Sequence, residues 1–275
     1  NFMINIFKMI LRILQFSFII FIEIFSIIPL ILLCLISRFI VKKYAFGIGP
    51  EPLINNIAFK KALDQINLPA KTFVTHLYYV TKSFDYIFRP YKVRNFIIFP
   101  SSIKAFIFSI FRFKSLIIYF NGGSLFNTYI LKFFEPYFYK LSNTKIIVMP
   151  YGGDVQDLSR STNLLFKNCL NLSYSDFKLR RKVISWNIDR WTKYSDFVVS
   201  GCEWVDYMHG WDMLMPAHFT LKVPSENIYD DYVPGTKLKI FHAPNHREIK
   251  GTNHILRTIE KIKEEYNYDI DLTIK

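Results

Sequence analysis

Residues 115–120, "SLIIYF", and 144–150, "TKIIVMP", carry unbroken rather than alternating apolar positions, and each runs within a few residues into a glycine pair. A strand with one wet face alternates apolar and polar; a strand apolar throughout is covered on both faces. Residues 44–49, 71–81 and 196–200 read as further strands. Helical patterns separate them. In "LINNIAFKKALDQI" the apolar residues Leu53, Ile54, Ile57, Ala58, Ala62 and Ile66 fall at helical spacing. Residues 102–111, 131–141 (despite Pro136), 177–194 and 202–209 also read as helices. Strands buried on both faces, separated by helices, require a parallel sheet with helices on either side. The expected fold is α/β, a doubly wound Rossmann-like domain over residues 44–236.

Ahead of it, residues 16–36, "FSFIIFIEIFSIIPLILLCLI", form an almost wholly apolar run of the length that crosses a bilayer. Glu23 inside it would cost about 2–3.5 kcal/mol at the bilayer centre, and Pro29 would kink a helix. A spanning helix, a re-entrant segment and a helix lying in the interface all fit; the plainer alternative is a buried core helix. The run is too long for a cleaved signal peptide, and no small-residue cleavage site follows. Lys8 and Arg12 precede it; Arg38, Lys42, Lys43, Lys60 and Lys61 follow. That bias favours the main body on the cytoplasmic side. Residues 1–43 are thus expected to form a membrane-associated helix.

With 51% hydrophobic and 21% charged residues the chain is not disordered. Its net charge of +13 favours anionic partners. Nucleic acid is not expected: the basic residues are spread along the chain and no helix-turn-helix, zinc-finger or ribonucleoprotein motif is present. The three cysteines form neither a zinc spacing nor a disulfide framework and fit a reducing compartment.

Parallel sheets bind ligands at the carboxyl ends of their strands. Glycines gather there: Gly47 with Gly49, Gly122 with Gly123, Gly152 with Gly153. "GIGPEP" lacks the third glycine of the dinucleotide fingerprint. Asn121, Gly122 and Gly123 are candidate lining of a cleft at that edge; the resemblance set out below would make it the acceptor side. Asp154 follows two glycines after a strand; it would orient a hydroxyl or act as base, or else cap a helix from residue 155. His76 is assigned to an apolar strand and a structural role. Lys178, Arg180, Arg181 and Lys182 form a solvated face or a contact to anionic lipid.

After the polar stretch "VPSENIYDDYVPGTK", residues 237–275 restart the strand–helix–strand pattern. The strand 238–242 leads into a loop holding His242, Asn245, His246, Arg247 and Lys250. Thr252 is expected at the N-cap of a helix reaching about Glu265. A cationic loop at a helix amino terminus suits a phosphate; the alternative is a solvated basic loop.

"HAPNHREIKGTNHI" resembles the opening of the second domain of retaining GT-B glycosyltransferases related to glycosyltransferase family 4. "FGIGPEPLINN" and "VMPYGGDV" resemble first-domain loops of such enzymes. The resemblance spans roughly Tyr44 to Lys275 and is sharpest at the carboxyl end. It implies transfer of a sugar from a nucleotide-sugar donor to a glycan or lipid-linked acceptor in cell-surface polysaccharide synthesis. It implies that Lys250 and Gly251, with Arg247, hold the donor diphosphate, and that Gly47 and Gly49 let the backbone approach it. The family's arginine, five residues before the lysine, is Asn245 here, so Arg247 or His246 would replace it. No cofactor or metal is expected, and the sequence shows no metal-ligand cluster. The family's later E-x7-E element is missing, so the chain is expected to be truncated within the second domain and inactive alone. The competing expectation is a non-enzymatic, membrane-attached, Rossmann-like binding protein.

Overall fold

A computed structural model describes residues 2–78, 81–93, 96–215, 237–244, 247–248 and 250–275. Two compact units emerge: residues 1–160 with 182–220, and residues 161–181 with 221–275. The second unit thus includes 161–181, which the boundary drawn at 236 left with the first domain.

The first unit opens with helix α1 (Phe2–Ser37), one helix long and apolar enough to cross a membrane over Met9–Ser37. It continues with β1 (Tyr44–Ile48), α2 (Asn55–Gln65), β2 (Ala70–Val74) and β3 (Tyr86–Ile87). An antiparallel pair, β4 (Tyr91–Val93) with β5 (Phe96–Phe99), stands apart from the main sheet. Then come α3 (Ser101–Arg112), β6 (Phe113–Tyr119), α4 (Leu131–Leu141) and β7 (Lys145–Met149). Helix α5 (Leu164–Ser173) falls in the second unit and precedes α6 (Ser175–Tyr194), whose residues from 182 onward belong to the first. After them come β8 (Phe197–Gly201), a 3-10 turn (Cys202–Tyr207) and β9 (Met213–Met215).

The main sheet is parallel throughout, in the order β3-β2-β1-β6-β7-β8-β9. The chain builds outward from β1 in one direction, returns, and builds outward from β6 in the other. This is the doubly wound order, and its reversal lies between β1 and β6. The core follows the unbroken apolar runs: Ile48, Leu116, Ile118 and Val148 are fully buried. Helix α3 buries Ser102, Ile103, Ala105, Phe106, Ser109 and Ile110, the spacing of one helical face.

Several local expectations differ. The apolar run 71–81 leaves the sheet after Val74, because a separate strand, β3, completes that edge. Of residues 202–209, expected as a helix, Cys202–Tyr207 form a 3-10 turn rather than an α-helix. The β4–β5 pair, α5 and β9 have no clear sequence signal, being short or weakly periodic.

Pro136 sits inside α4 and removes the N–H that would bond the carbonyl of Lys132, four residues back. The Arg190 guanidinium donates to that carbonyl instead. Arg190 lies over the rings of Trp186 and Trp191, with centroid distances of 4.6 and 5.0 Å. The helix survives its proline because an outside donor replaces the missing one.

The second unit contains β10 (Leu238–His242), α7 (Thr252–Tyr266) and β11 (Ile270–Ile274), a parallel β-α-β with five paired positions from Leu238–Ile270 to His242–Ile274. Ile259 and Ile270 are buried within it.

Candidate functional site

Where strand order reverses, the carboxyl ends of β1 and β6 open a crevice between their outgoing loops. Residues 49–51 leave β1 there, and residues 120–123 leave β6. The loop after β7 lies beside the second.

Four glycines of this edge, Gly47, Gly49, Gly122 and Gly123, serve the protein's own packing. Gly47 lies within β1, and a Cβ there would meet the Phe113 ring at 2.4 Å. Phe113 also stacks on Phe73, with centroids 5.6 Å apart, so Gly47 makes room for an aromatic core. A Cβ on Gly49 would lie 1.9 Å from the Phe73 carbonyl oxygen. Gly123 faces the Glu135 carboxylate and Tyr139 hydroxyl, 2.6 and 2.7 Å from where its Cβ would be. Gly122 has φ +126 and abuts Phe126. Gly47 and Gly49 thus make room for Phe113 and for the Phe73 backbone.

Asp154 is fully buried. Its Oδ2 accepts from the Phe120 N–H at 3.0 Å; its Oδ1 accepts from Tyr151 and Gly152 N–H at 3.0 and 2.9 Å. Burial pushes its carboxyl up to about 7, against the pull of those N–H donors. No helix starts at residue 155; the next one, α5, begins at Leu164. Asp154 ties the loop after β7 to the end of β6. That placement differs from both sequence expectations, a cleft-facing base and a helix cap.

A polar cluster that the sequence reading passed over sits at the crevice. Glu51 follows β1 and is 4% exposed. It accepts a hydrogen bond from the Tyr78 hydroxyl, and His76 Nε2 lies 3.9 Å from its Oε1. His76 lies beyond the end of β2, not within a strand, and its side chain is 36% exposed. Asn56, buried at the start of α2, donates to the Glu51 carbonyl at 2.7 Å and accepts from the Tyr119 hydroxyl. Asn121 donates to the Tyr151 hydroxyl at 2.7 Å. The available signal was positional: "GPEP" and "THLYY" both follow strands of the sheet. A buried carboxylate beside β1 repels an anion and accepts hydrogen bonds from hydroxyl groups.

A cavity of about 450 Å³ opens at the opposite edge of the sheet, lined by residues such as Tyr137, Lys140, Lys193 and Asp196. It lies at the amino ends of β7 and β8, away from the carboxyl-end crevice where such sheets bind ligands.

In the second unit, the turn before α7 differs from the glycine turns above. Gly251 has φ +67, the left-handed region that glycine adopts without strain. Its nearest neighbour, His254 Cδ2, would stand 3.9 Å from an added Cβ, so the space before it is open. Gly251, not Thr252, occupies the cap position. The Thr252 hydroxyl is buried and pairs with His242 Nε2 at 2.8 Å, fastening the end of β10 to the start of α7. The Arg247 carbonyl accepts from the Thr252 N–H at 3.0 Å. Arg247 and Lys250 are both exposed. Asn245 and His246 lie outside the described residues.

No protein-family model matches the chain, and no curated protein matches its sequence.

Proposed function

We propose that this chain belongs to a glycosyltransferase that moves a sugar from a nucleotide-sugar to a glycan or lipid-linked acceptor at a membrane surface, in cell-surface polysaccharide synthesis. The observation that carries the reading is the turn before α7: an open left-handed glycine, a helix amino terminus and the exposed cations Arg247 and Lys250. Negative charge grows on the diphosphate as the sugar leaves. Fixed cations and the positive end of a helix dipole stabilise that charge. Glu51 and His76 would bind acceptor hydroxyls through hydrogen bonds. The body would sit on the cytoplasmic side, where anionic lipids meet the chain's positive charge.

Titration of the full chain with UDP, GDP and their sugar conjugates tests this. One nucleotide should bind, and Lys250→Ala should weaken it about 10- to 100-fold, the loss of one charge-assisted contact worth about 1.5–3 kcal/mol. A second reading, a membrane-attached binding protein without catalysis, draws on the first unit, where Gly47, Gly49 and Gly123 serve internal packing. Absence of nucleotide binding would favour it.

A further inference from the structure

Helix α1 is built inside out. Between residues 13 and 36 every exposed position is apolar except Ser17. Ile13, Phe21, Phe25, Ile28, Leu32 and Ile36 are each 53–70% exposed. The polar side chains turn toward the protein instead. Gln15 pairs with both backbone groups of Ile97 on β5, donating to its carbonyl at 3.1 Å and accepting from its N–H at 2.7 Å. Glu23 is 1% exposed, and its carboxylate accepts from the N–H groups of Tyr129, Ile130 and Leu131 at 3.1, 2.6 and 3.4 Å. Those donors open α4, whose N-cap residue Ile130 makes no side-chain bond, while the Thr128 hydroxyl accepts from the Lys132 N–H at 2.8 Å. Glu23 is a cap supplied from another helix. At the far end of α4, Lys42 donates to the carbonyls of Ser142 and Asn143 at 3.0 and 3.2 Å and to the Thr144 hydroxyl at 2.7 Å.

An apolar face this long does not belong in water; its 18-residue window has a mean hydropathy of 3.0, with 17% of it buried. Composition alone favours a spanning helix, since interfacial helices usually carry a charged outer face. Docking decides otherwise. From Gln15 to Lys42 the chain is fastened along β5 and α4. Were α1 to stand across the bilayer, those elements would enter it. The irregular loops at both ends of α4 would then lie at membrane depth, where lipid satisfies no backbone hydrogen bond. Exposed Lys140 would go with them, at about 2.5–3.5 kcal/mol near the centre. A helix lying flat incurs neither cost. Between residues 13 and 36 its outer face offers no hydrogen-bonding side chain beyond Ser17 to set a register with a second protein, and lipid needs none. Exposed Arg12 at one end, and Arg38 and Lys43 at the other, can both reach head groups of the same leaflet.

We propose that α1 lies in the plane of a lipid bilayer without crossing it, its outer face in the acyl–headgroup boundary and its polar face bolted to the α/β unit through Gln15 and Glu23, with Lys42 fastening the segment just after it. The proposal rests on the membrane attachment in the reading above, not on glycosyl transfer. Nucleotide binding does not enter its test, so the two can fail separately.

The full chain is synthesised in the presence of phosphatidylcholine–phosphatidylglycerol vesicles, with Cys34→Ala, Cys169→Ser and Cys202→Ser and one new cysteine at a time, Arg12→Cys or Arg38→Cys. A membrane-impermeant maleimide is added outside. Equal labelling of both positions, unchanged by detergent, on chain that floats with the vesicles is the expected result. One position labelling only after detergent means that α1 crosses, and overturns the proposal. Failure to float overturns it too. As a second arm, Phe25→Glu with Ile28→Glu should lower flotation at least tenfold while the thermal unfolding of the α/β unit is kept; unchanged flotation would count against the outer face as the lipid contact.

Discussion

Arg190 donates a hydrogen bond to the carbonyl of Lys132, the one carbonyl in α4 that Pro136 leaves without its helical partner. Arg190 is 8% exposed and lies beside the fully buried Glu135, whose charge it offsets. Arg190→Ala should lower unfolding stability by about 2–4 kcal/mol, since it strips a buried carbonyl of its donor and a buried carboxyl of a neighbouring positive charge at once. In a Pro136→Ala background the helix regains its own N–H, and the loss should shrink by about 1 kcal/mol. A double-mutant cycle by urea unfolding reads this coupling; additive losses would refute it.

Asp154 holds three backbone N–H groups from two loops. Asp154→Ala leaves all three buried without an acceptor. Stability should fall by about 3 kcal/mol or more. Asp154→Asn keeps one accepting oxygen and should lose less. Circular dichroism melts of the two variants give the order, and a mild Asp154→Ala would sink the structural role.

Stability should also depend on pH in a defined direction. Burial pushes both Glu135 and Asp154 up to about 7, against the pull of their hydrogen-bond donors. Their ordinary values are 4.5 and 3.8. Between these limits the folded chain binds more protons than the unfolded one, so stability falls as pH rises from about 4 through about 7. On the acid side Asp85 works the other way. Burial opposes its charge, but Lys71 and Thr72 outweigh that and hold it below its ordinary value of 3.8. Its contribution is present above pH 3.8 and lost as acid protonates it. Thermal melts from pH 4 to 8 should show Tm declining toward pH 8, with a shallower slope in Glu135→Gln.

Glu23→Ala should destabilise α4 by about 1–2 kcal/mol, the cost of a lost cap and of an anion lost from a helix amino terminus. Vesicle binding should be unaffected, because the side chain faces the protein. Hydrogen exchange at residues 129–133 is the direct measure. Weaker flotation without faster exchange would place Glu23 at the lipid face instead.

Much of the fold was legible along the chain. Unbroken apolar runs at 115–120 and 144–150 specify strands covered on both faces, because side-chain periodicity is a local property. The apolar length of α1 and the β-α-β of residues 237–275 were legible for the same reason. The candidate site was legible only by position. Its glycines mark the carboxyl edge of the sheet, but what each makes room for depends on a partner from elsewhere: Phe113 for Gly47, Phe73 for Gly49, Glu135 for Gly123.

Glu23 shows the division most clearly. The sequence by itself determined that a carboxylate stands in the middle of an apolar helix, and that such a charge cannot be left bare in lipid. Its partners, at Tyr129, Ile130 and Leu131, lie more than a hundred residues away. Arg190 and Lys132 are 58 residues apart, and Asp154 and Phe120 are 34 apart. Local pattern fixes which groups need a partner, because burial of a polar group has the same cost wherever it occurs. Only the tertiary structure decided which partner each one found, because chain topology alone sets what lies within 3 Å of it.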